Sequence, residues 1–281
     1  MAYKGNNNYF SNEDLSQLTQ KLTRNALSDW GSKYRKKYIE KNKASTFNHF
    51  NIFFPQERAI HSIIQSGLTS FGTKLWENLS YEIAKLNGYN VVNKTVFNSD
   101  VPVLTKGLEN HQQELRKDIE NKKINLKDAI EDIRSYINQH NIYSLKRTSV
   151  KKGAGIDFWF KKNGYELIGD IKSPQENIGN SKKLAEHILI WSTHRLLDDP
   201  KAKINAVIAL PYNPYDDLDT YMKEQGNKMS ILNHGNDILL ADDFWDKLSG
   251  IKNSTNIIFE AFESLSNSKE VNEIKKFFPS R

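Results

Sequence analysis

Apolar positions recur along the chain at two spacings, and the switches between them outline its architecture. Leu15, Leu18, Leu22 and Ala26 stand at helical spacing behind Ser11-Asn12-Glu13-Asp14, which resembles a capping box with Asp in place of Glu. Leu75, Leu79, Ile83 and Leu86 form a second stripe, predicting a helix from Gly72 to Leu86 that Asn87-Gly88 stops. Residues 89–97 read as a strand. Residues 108–140 are highly charged and helical, with Leu115, Ile119, Leu126, Ile130, Ile133 and Ile137 as an interrupted apolar seam. They read as an inserted helical pair.

The spacing then changes. Residues 156–161 and 165–172 read as short strands, and Lys162-Asn163-Gly164 between them is a hairpin signal. Residues 182–197 form an amphipathic helical pattern. Residues 203–211 are a short apolar run that fits a buried, parallel strand. Residues 213–236 are loop-rich, 237–241 read as another strand, and Asp242-Asp243-Phe244-Trp245-Asp246 opens a helix. The order predicts an α/β fold with a mixed β-sheet flanked by helices. We expect a single domain over 1–281, with a helical N-terminal segment (1–68), a core (69–265) and a helical insert (about 106–141).

Composition narrows the function. No run approaches the ~20 apolar residues a bilayer-spanning helix needs, and residues 1–10 lack the apolar centre of a signal peptide. These features predict a cytoplasmic protein. The chain has no cysteine, which excludes disulfides, thiolate zinc sites and a cysteine nucleophile. A net charge of +6 suits a polyanionic partner such as nucleic acid. Lys, Asn and Ile are abundant throughout, however, as A·T-rich codons would produce without any functional reason. The basic tract Lys33, Arg35, Lys36, Lys37, Lys41 and Lys43 reads as a solvated helix face.

The chemistry concentrates in Asp157 and in Asp170-Ile171-Lys172. Alternation along a strand places Asp170 and Lys172 on one face with Ile168. If the two predicted strands pair, Asp157 approaches the same spot. Two carboxylates suffice as protein ligands for Mg²⁺, which keeps waters and takes phosphate oxygens as well. Lys172 would steady a nucleophile or developing negative charge. An acidic-x-Lys triplet alone carries little information. Glu120-Asn121-Lys122, Asp199-Pro200-Lys201 and Glu273-Ile274-Lys275 share it, but none ends an apolar strand with an Ile-Asp upstream. There is no Gly-rich phosphate loop, no Gly-x-Ser-x-Gly and no His-Glu-x-x-His.

This arrangement resembles the restriction-endonuclease-like PD-(D/E)xK nuclease superfamily. Gly155-Ile156-Asp157 stands where that signature often has Pro-Asp, and Asp170-Ile171-Lys172 stands for its second half. Many members carry a glutamate on the helix before the first core strand, after one glycine and before another. Gly72, Glu77 and Gly88 match that pattern. Glu77 lies off the apolar stripe and shares a face with Thr73, Ser80 and Ala84; Glu82 is its rival. The resemblance implies Asp157, Asp170 and Glu77 as metal ligands, with Lys172 catalytic beside them and Mg²⁺ as cofactor.

The downstream segments Tyr212-Asn213-Pro214 and Phe244-Trp245-Asp246 look like those of type II restriction endonucleases, in particular the TdeIII-type. That likeness implies a homodimer cutting double-stranded DNA at a short palindrome, with GGNCC as the expected site. Lys146, Arg147, Lys151 and Lys152 are the candidate DNA contacts, with Ser173 and Gln175 flanking the site. Base readout would fall to this cluster or to the 212–236 loop. Trp159, Trp191 and Trp245 read as core, and His187 and His194 as ordinary helix surface. Two other readings remain: a structure-selective nuclease, such as a junction resolvase or nickase, with the same metal site, and a non-catalytic DNA-binding protein retaining the fold.

Overall fold

The structure, a computed structural model, describes residues 10–41, 55–172, 174, 178–215, 217–226, 228 and 230–278. In chain order it runs through α1 (Asn12–Lys41), α2 (Pro55–Phe71), a π-helical turn (Gly72–Trp76) and α3 (Glu77–Leu86). Next come β1 (Asn90–Val91), α4 (Lys94–Ser99), β2 (Val101–Pro102), α5 (Lys106–Glu120), α6 (Leu126–Gln139) and β3 (Arg147–Thr148). The remainder is β4 (Phe158–Lys162), β5 (Tyr165–Ile171), α7 (Ile178–Asp198), β6 (Lys203–Leu210), α8 (Leu218–Gln225), β7 (Ile238–Leu240), α9 (Asp242–Ser249), α10 (Ser254–Glu263) and α11 (Lys269–Lys275). No helix among the described residues is long and apolar enough to cross a membrane. The chain divides into two units, Met1–Ile83 with Asn253–Arg281, and Ala84–Lys252.

The first unit is helical. The Ser11–Asp14 box closes reciprocally: Ser11 N donates to Asp14 Oδ2 (2.9 Å) and Asp14 N to Ser11 Oγ (3.1 Å). The buried stripe of α1 is Leu15, Thr19, Thr23, Ala26 and Leu27, with Leu18 and Leu22 only half-buried at its flanks. Helix α1 packs on α2, α10 and α11, and Gly67 is where α2 comes closest: a Cβ there would lie 2.9 Å from the Trp30 ring. Of the basic tract, Lys33 pairs with Asp29 (3.1 Å) and Lys36 is exposed. Lys43 lies outside the described residues, as do the side chains of Arg35, Lys37 and Lys41.

The second unit is built on a five-stranded mixed sheet of order β1-β4-β5-β6-β7. Strands β1, β4 and β5 pair antiparallel, whereas β5, β6 and β7 pair parallel. The predicted α/β class and mixed sheet therefore hold. Asn163 (φ 51) and Gly164 (φ 76) form a two-residue turn with both residues at positive φ, the geometry that matches strand twist. It sets Lys162 opposite Tyr165 and Phe158 opposite Gly169. On one face of the sheet, Trp159, Ile168, Ala206, Ile208 and Leu240 join the core with α5, α6 and α7. On the other, Phe158 stacks on Phe160 (5.2 Å between centroids) and packs against Phe244.

Several expectations need correction. The helix predicted to begin at Gly72 continues from α2 through the π-helical turn, and Leu86, at the end of its stripe, is 53 % exposed. Residues 89–97 form only the two-residue β1 before α4 begins, because the Asn93 side chain caps that helix by accepting from Thr95 N (3.0 Å). The 213–236 stretch contains α8, capped by Asp217. Helix α7 is buried nearly all round from His187 to Leu197 rather than amphipathic. Its outer face is covered by α5 and α6, with Gln112 donating to Thr193 (2.7 Å) and Arg116 to Glu186 (2.5 Å). His187 and His194 are buried, not surface residues.

Helix α7 also carries one half of a buried ion pair. Arg195 donates to both Glu166 oxygens (2.8 and 2.5 Å), and Trp159 Nε1 donates to Glu166 Oε2 (2.8 Å). Burial alone would raise the Glu166 carboxyl, but Arg195, Trp159 and Lys161 outweigh it and hold the group below its ordinary 4.5. A carboxyl depressed by folding contributes stability above its unfolded value and loses it as pH falls through the folded one. Arg195→Leu, which strands Glu166 in the core, is expected to cost about 3–5 kcal/mol in urea unfolding at pH 7. The deficit should shrink below pH 4.5, as Glu166 takes up a proton.

Candidate active site

The β4–β5 register decides where the carboxylates go. The pairing ends at Phe158↔Gly169, which leaves Asp157, just before β4, beside the last residues of β5. Two bonds hold it there: Asp157 N donates to the Gly169 carbonyl (2.7 Å) and Asp157 Oδ2 accepts from Ile171 N (3.1 Å). Gly169 is required by close approach: a Cβ there would fall 2.1 Å from the Val207 carbonyl oxygen and 2.8 Å from the Phe158 ring. Beyond the end of β5, Lys172 N donates to the Ala209 carbonyl (2.9 Å), so the parallel neighbour β6 fixes the lysine backbone. Lys172 Nζ lies 2.5 Å from Asp170 Oδ2. The structure thus brings Asp157, Asp170 and Lys172 together.

The two carboxyls form an unbalanced pair. Asp170 is 4 % exposed and hydrogen-bonded to Asp157. Burial first, then the hydrogen bond and negative charge of Asp157, push Asp170 up to about 8, with Lys172 acting against them. Burial also acts to raise Asp157, but its bonds to Asp170 and Ile171 N and the ammonium groups of Lys94 and Lys172 carry it below the usual range. Two acids that hold a proton between them in a half-open site have the donor set a divalent cation would take. The residues fit such a metal, with Asp157 and Asp170 as its carboxylate ligands. No group of three or more His, Asp or Glu that could hold a metal occurs among the described residues.

Lys94, which sequence reasoning passed over, belongs to this site. Its Nζ lies 3.6 Å from Asp157 Oδ1. It went unseen because 89–97 read as a strand; the Asn93-Lys94-Thr95 capping signal was the clue to α4. Glu77 opens α3 in the first unit and is half-buried, as is Glu82. Lys146, Lys151 and Lys152 are exposed. Arg147 is held by Asp100 (3.0 Å) and Asp198 (2.6 Å). Ser173 and Gln175 lie outside the described residues. Trp159, Trp191 and Trp245 are core, as expected. His187, its basicity lowered to about 4 by burial and then by Lys183 and Lys172, is a neutral core group, and His194 Nδ1 donates to the Pro102 carbonyl (3.0 Å).

Metal affinity can be read without cleavage. Adding Mn²⁺ or Mg²⁺ to metal-free protein is expected to raise its melting temperature, corresponding to about 2.7 kcal/mol at 100-fold excess over Kd. Asp170→Asn, which keeps the shape of the protonated acid, should fold normally and lose that rise. A variant that melts higher with metal just as the unaltered protein does would remove Asp170 from the ligand set.

Comparison with known proteins adds the family. No curated protein and no solved structure matches the chain. Residues 12–266 match the family described as type II restriction endonuclease, HinfI. Type II restriction endonucleases generally use divalent metal ions, in keeping with the paired carboxylates. The match spans most of both units and includes Asp157, Asp170 and Lys172. The chain therefore belongs to the HinfI family of type II restriction endonucleases, site-specific deoxyribonucleases that hydrolyse the phosphodiester bonds of DNA.

Proposed function

We propose that the protein is a Mg²⁺-dependent enzyme that cleaves both DNA strands at a short palindrome, acting as a cytoplasmic homodimer. The convergence of Asp157, Asp170 and Lys172 at the β4–β5 end carries this reading. Asp157 and Asp170 would hold a divalent cation, which would supply Lewis-acid polarisation of the scissile phosphate and of water. Lys172, anchored through its backbone to β6, places its ammonium where charge develops on the phosphate and steadies the attacking oxygen. Lys146, Lys151 and Lys152, exposed on the segment that leads to Asp157, contact DNA phosphates; Arg147, paired with Asp100 and Asp198, braces β3 against them. Glu77 is the proposed third carboxylate.

A palindrome suits a two-fold dimer, each copy cutting one strand. The target GGNCC rests on the TdeIII-type likeness of Tyr212-Asn213-Pro214 and Phe244-Trp245-Asp246 alone. Those segments also have structural work, since Trp245 Nε1 donates to the Pro211 carbonyl (2.7 Å) and Asn213 Oδ1 accepts from Tyr215 N (3.0 Å).

Digestion of unmethylated phage DNA tests the reading. Discrete bands are expected with Mg²⁺ and none with EDTA, and mapping their ends tests GGNCC. Lys172→Ala should still bind DNA while kcat falls about 10²–10³-fold. Glu77→Gln should lower cleavage and Glu82→Gln should not. Nicking or smearing that still requires Lys172 would point instead to a structure-selective nuclease. Absence of cleavage with either Mg²⁺ or Mn²⁺ would favour a non-catalytic DNA-binding protein.

A further inference from the structure

The backbone leading into Asp157 is gripped by one side chain. Asn98, in the last turn of α4, accepts from Ile156 N at Oδ1 (2.8 Å) and donates from Nδ2 to the Ile156 carbonyl (3.0 Å). Both polar groups of the residue before Asp157 thus end on a single planar amide. The partners, one N–H and one carbonyl, require an acceptor and a donor at adjacent atoms, which an amide supplies and a carboxylate or an aliphatic side chain does not. Gly155 makes room for this contact: a Cβ there would lie 2.9 Å from Asn98 Oδ1. The Asn98 main chain is engaged as well, its carbonyl accepting from Val150 N (2.9 Å). One turn earlier on α4, Lys94 reaches the Asp157 carboxylate itself.

We propose that Asn98 is a positioning residue for phosphodiester hydrolysis, acting through Asp157 by fixing where its carboxylate meets Asp170. The proposal rests on the reading of Asp157 and Asp170 as divalent-cation ligands. The two hydrogen bonds set the path and peptide orientation of residue 156. Asp157 N, bonded to the Gly169 carbonyl, fixes the other side. Releasing the amide removes the tie on the Ile156 side and leaves Asp157 to its bonds with Gly169 O and Ile171 N and to Lys94, so its carboxylate samples a wider range of positions beside Asp170. DNA contacts should change little, because the tie from Asn98 to Val150, at the foot of the Lys151–Lys152 loop, is made by main-chain atoms that no substitution removes.

Three variants, Asn98→Ala, Asn98→Asp and Gly155→Ala, test this beside the unaltered protein and Asp157→Asn. Asn98→Asp keeps the acceptor for Ile156 N and loses the donor to Ile156 O; Gly155→Ala disturbs the amide with Asn98 intact. Melting curves report folding, steady-state cleavage gives kcat and KM, and electron paramagnetic resonance follows Mn²⁺ binding without DNA. In the folded variants, kcat is expected to fall about 10–100-fold with a comparable rise in the Mn²⁺ half-saturation point, while KM for DNA stays within about threefold. A lower melting temperature with unchanged kcat and unchanged Mn²⁺ binding in any folded Asn98 variant would overturn the proposal, as would failure of all three variants to fold. Asp157→Asn separates this from the reading beneath it. If that variant cleaves and binds Mn²⁺ normally, the cation-site assignment itself fails; if it is inactive while the Asn98 variants are normal, only the role of Asn98 falls.

Discussion

The turn at Asn163 and Gly164 fixes every cross-strand partner of β4 and β5, and the candidate active site hangs on that register. A one-residue slip would move Trp159 and Ile168 to the wrong face of the sheet and carry Asp157 away from Asp170. The cost of exposing that buried face is what protects the geometry of the acids. Gly169 tightens the same constraint from the other side, because only a residue without a side chain lets Phe158 and the Val207 carbonyl approach so closely. The packing that stabilises the sheet and the placement of the acids are therefore one problem with one solution.

Two buried acids on the same pair of strands show how structural and chemical carboxylates differ. Glu166 meets a guanidinium, an indole N–H and an ammonium, and its charge is fully answered from within the protein. Asp170 meets another acid and a single lysine. The first arrangement is complete as it stands. The second is answered in part by a proton, since burial and the Asp157 carboxylate push Asp170 up to about 8, and so perturbed an acid in a partly open position is the mark of a functional site.

Much of this was legible in the sequence, for identifiable reasons. Asn-Gly between two apolar runs announced the hairpin, and the spacing from Asp157 to Asp170 across it announced the acid pair. The run 203–211 announced a buried strand because it has no polar alternation. Other features were set by contacts distant in sequence. Val91, Val92, Val96 and Phe97 carry the composition of a strand, yet the cap at Asn93 starts a helix that brings Lys94 and Asn98 to the site. Nothing near His194 in the chain signals burial, since the carbonyl it meets, Pro102 on β2, lies 92 positions earlier. The resemblance was legible at the level of type II restriction enzymes; the segments that carry the finer likeness also contribute to a turn and to a core tryptophan.

The burial of α7 constrains the history and the engineering of the chain. In a minimal sheet enzyme the helix following the acidic strand keeps a water-facing side, and a peripheral pair such as α5 and α6 can be gained or lost freely. Here Thr193, whose hydroxyl accepts from Gln112, and Glu186, which accepts from Arg116, are turned toward that pair. Shortening the chain toward a bare nuclease scaffold would uncover a helix no longer suited to water.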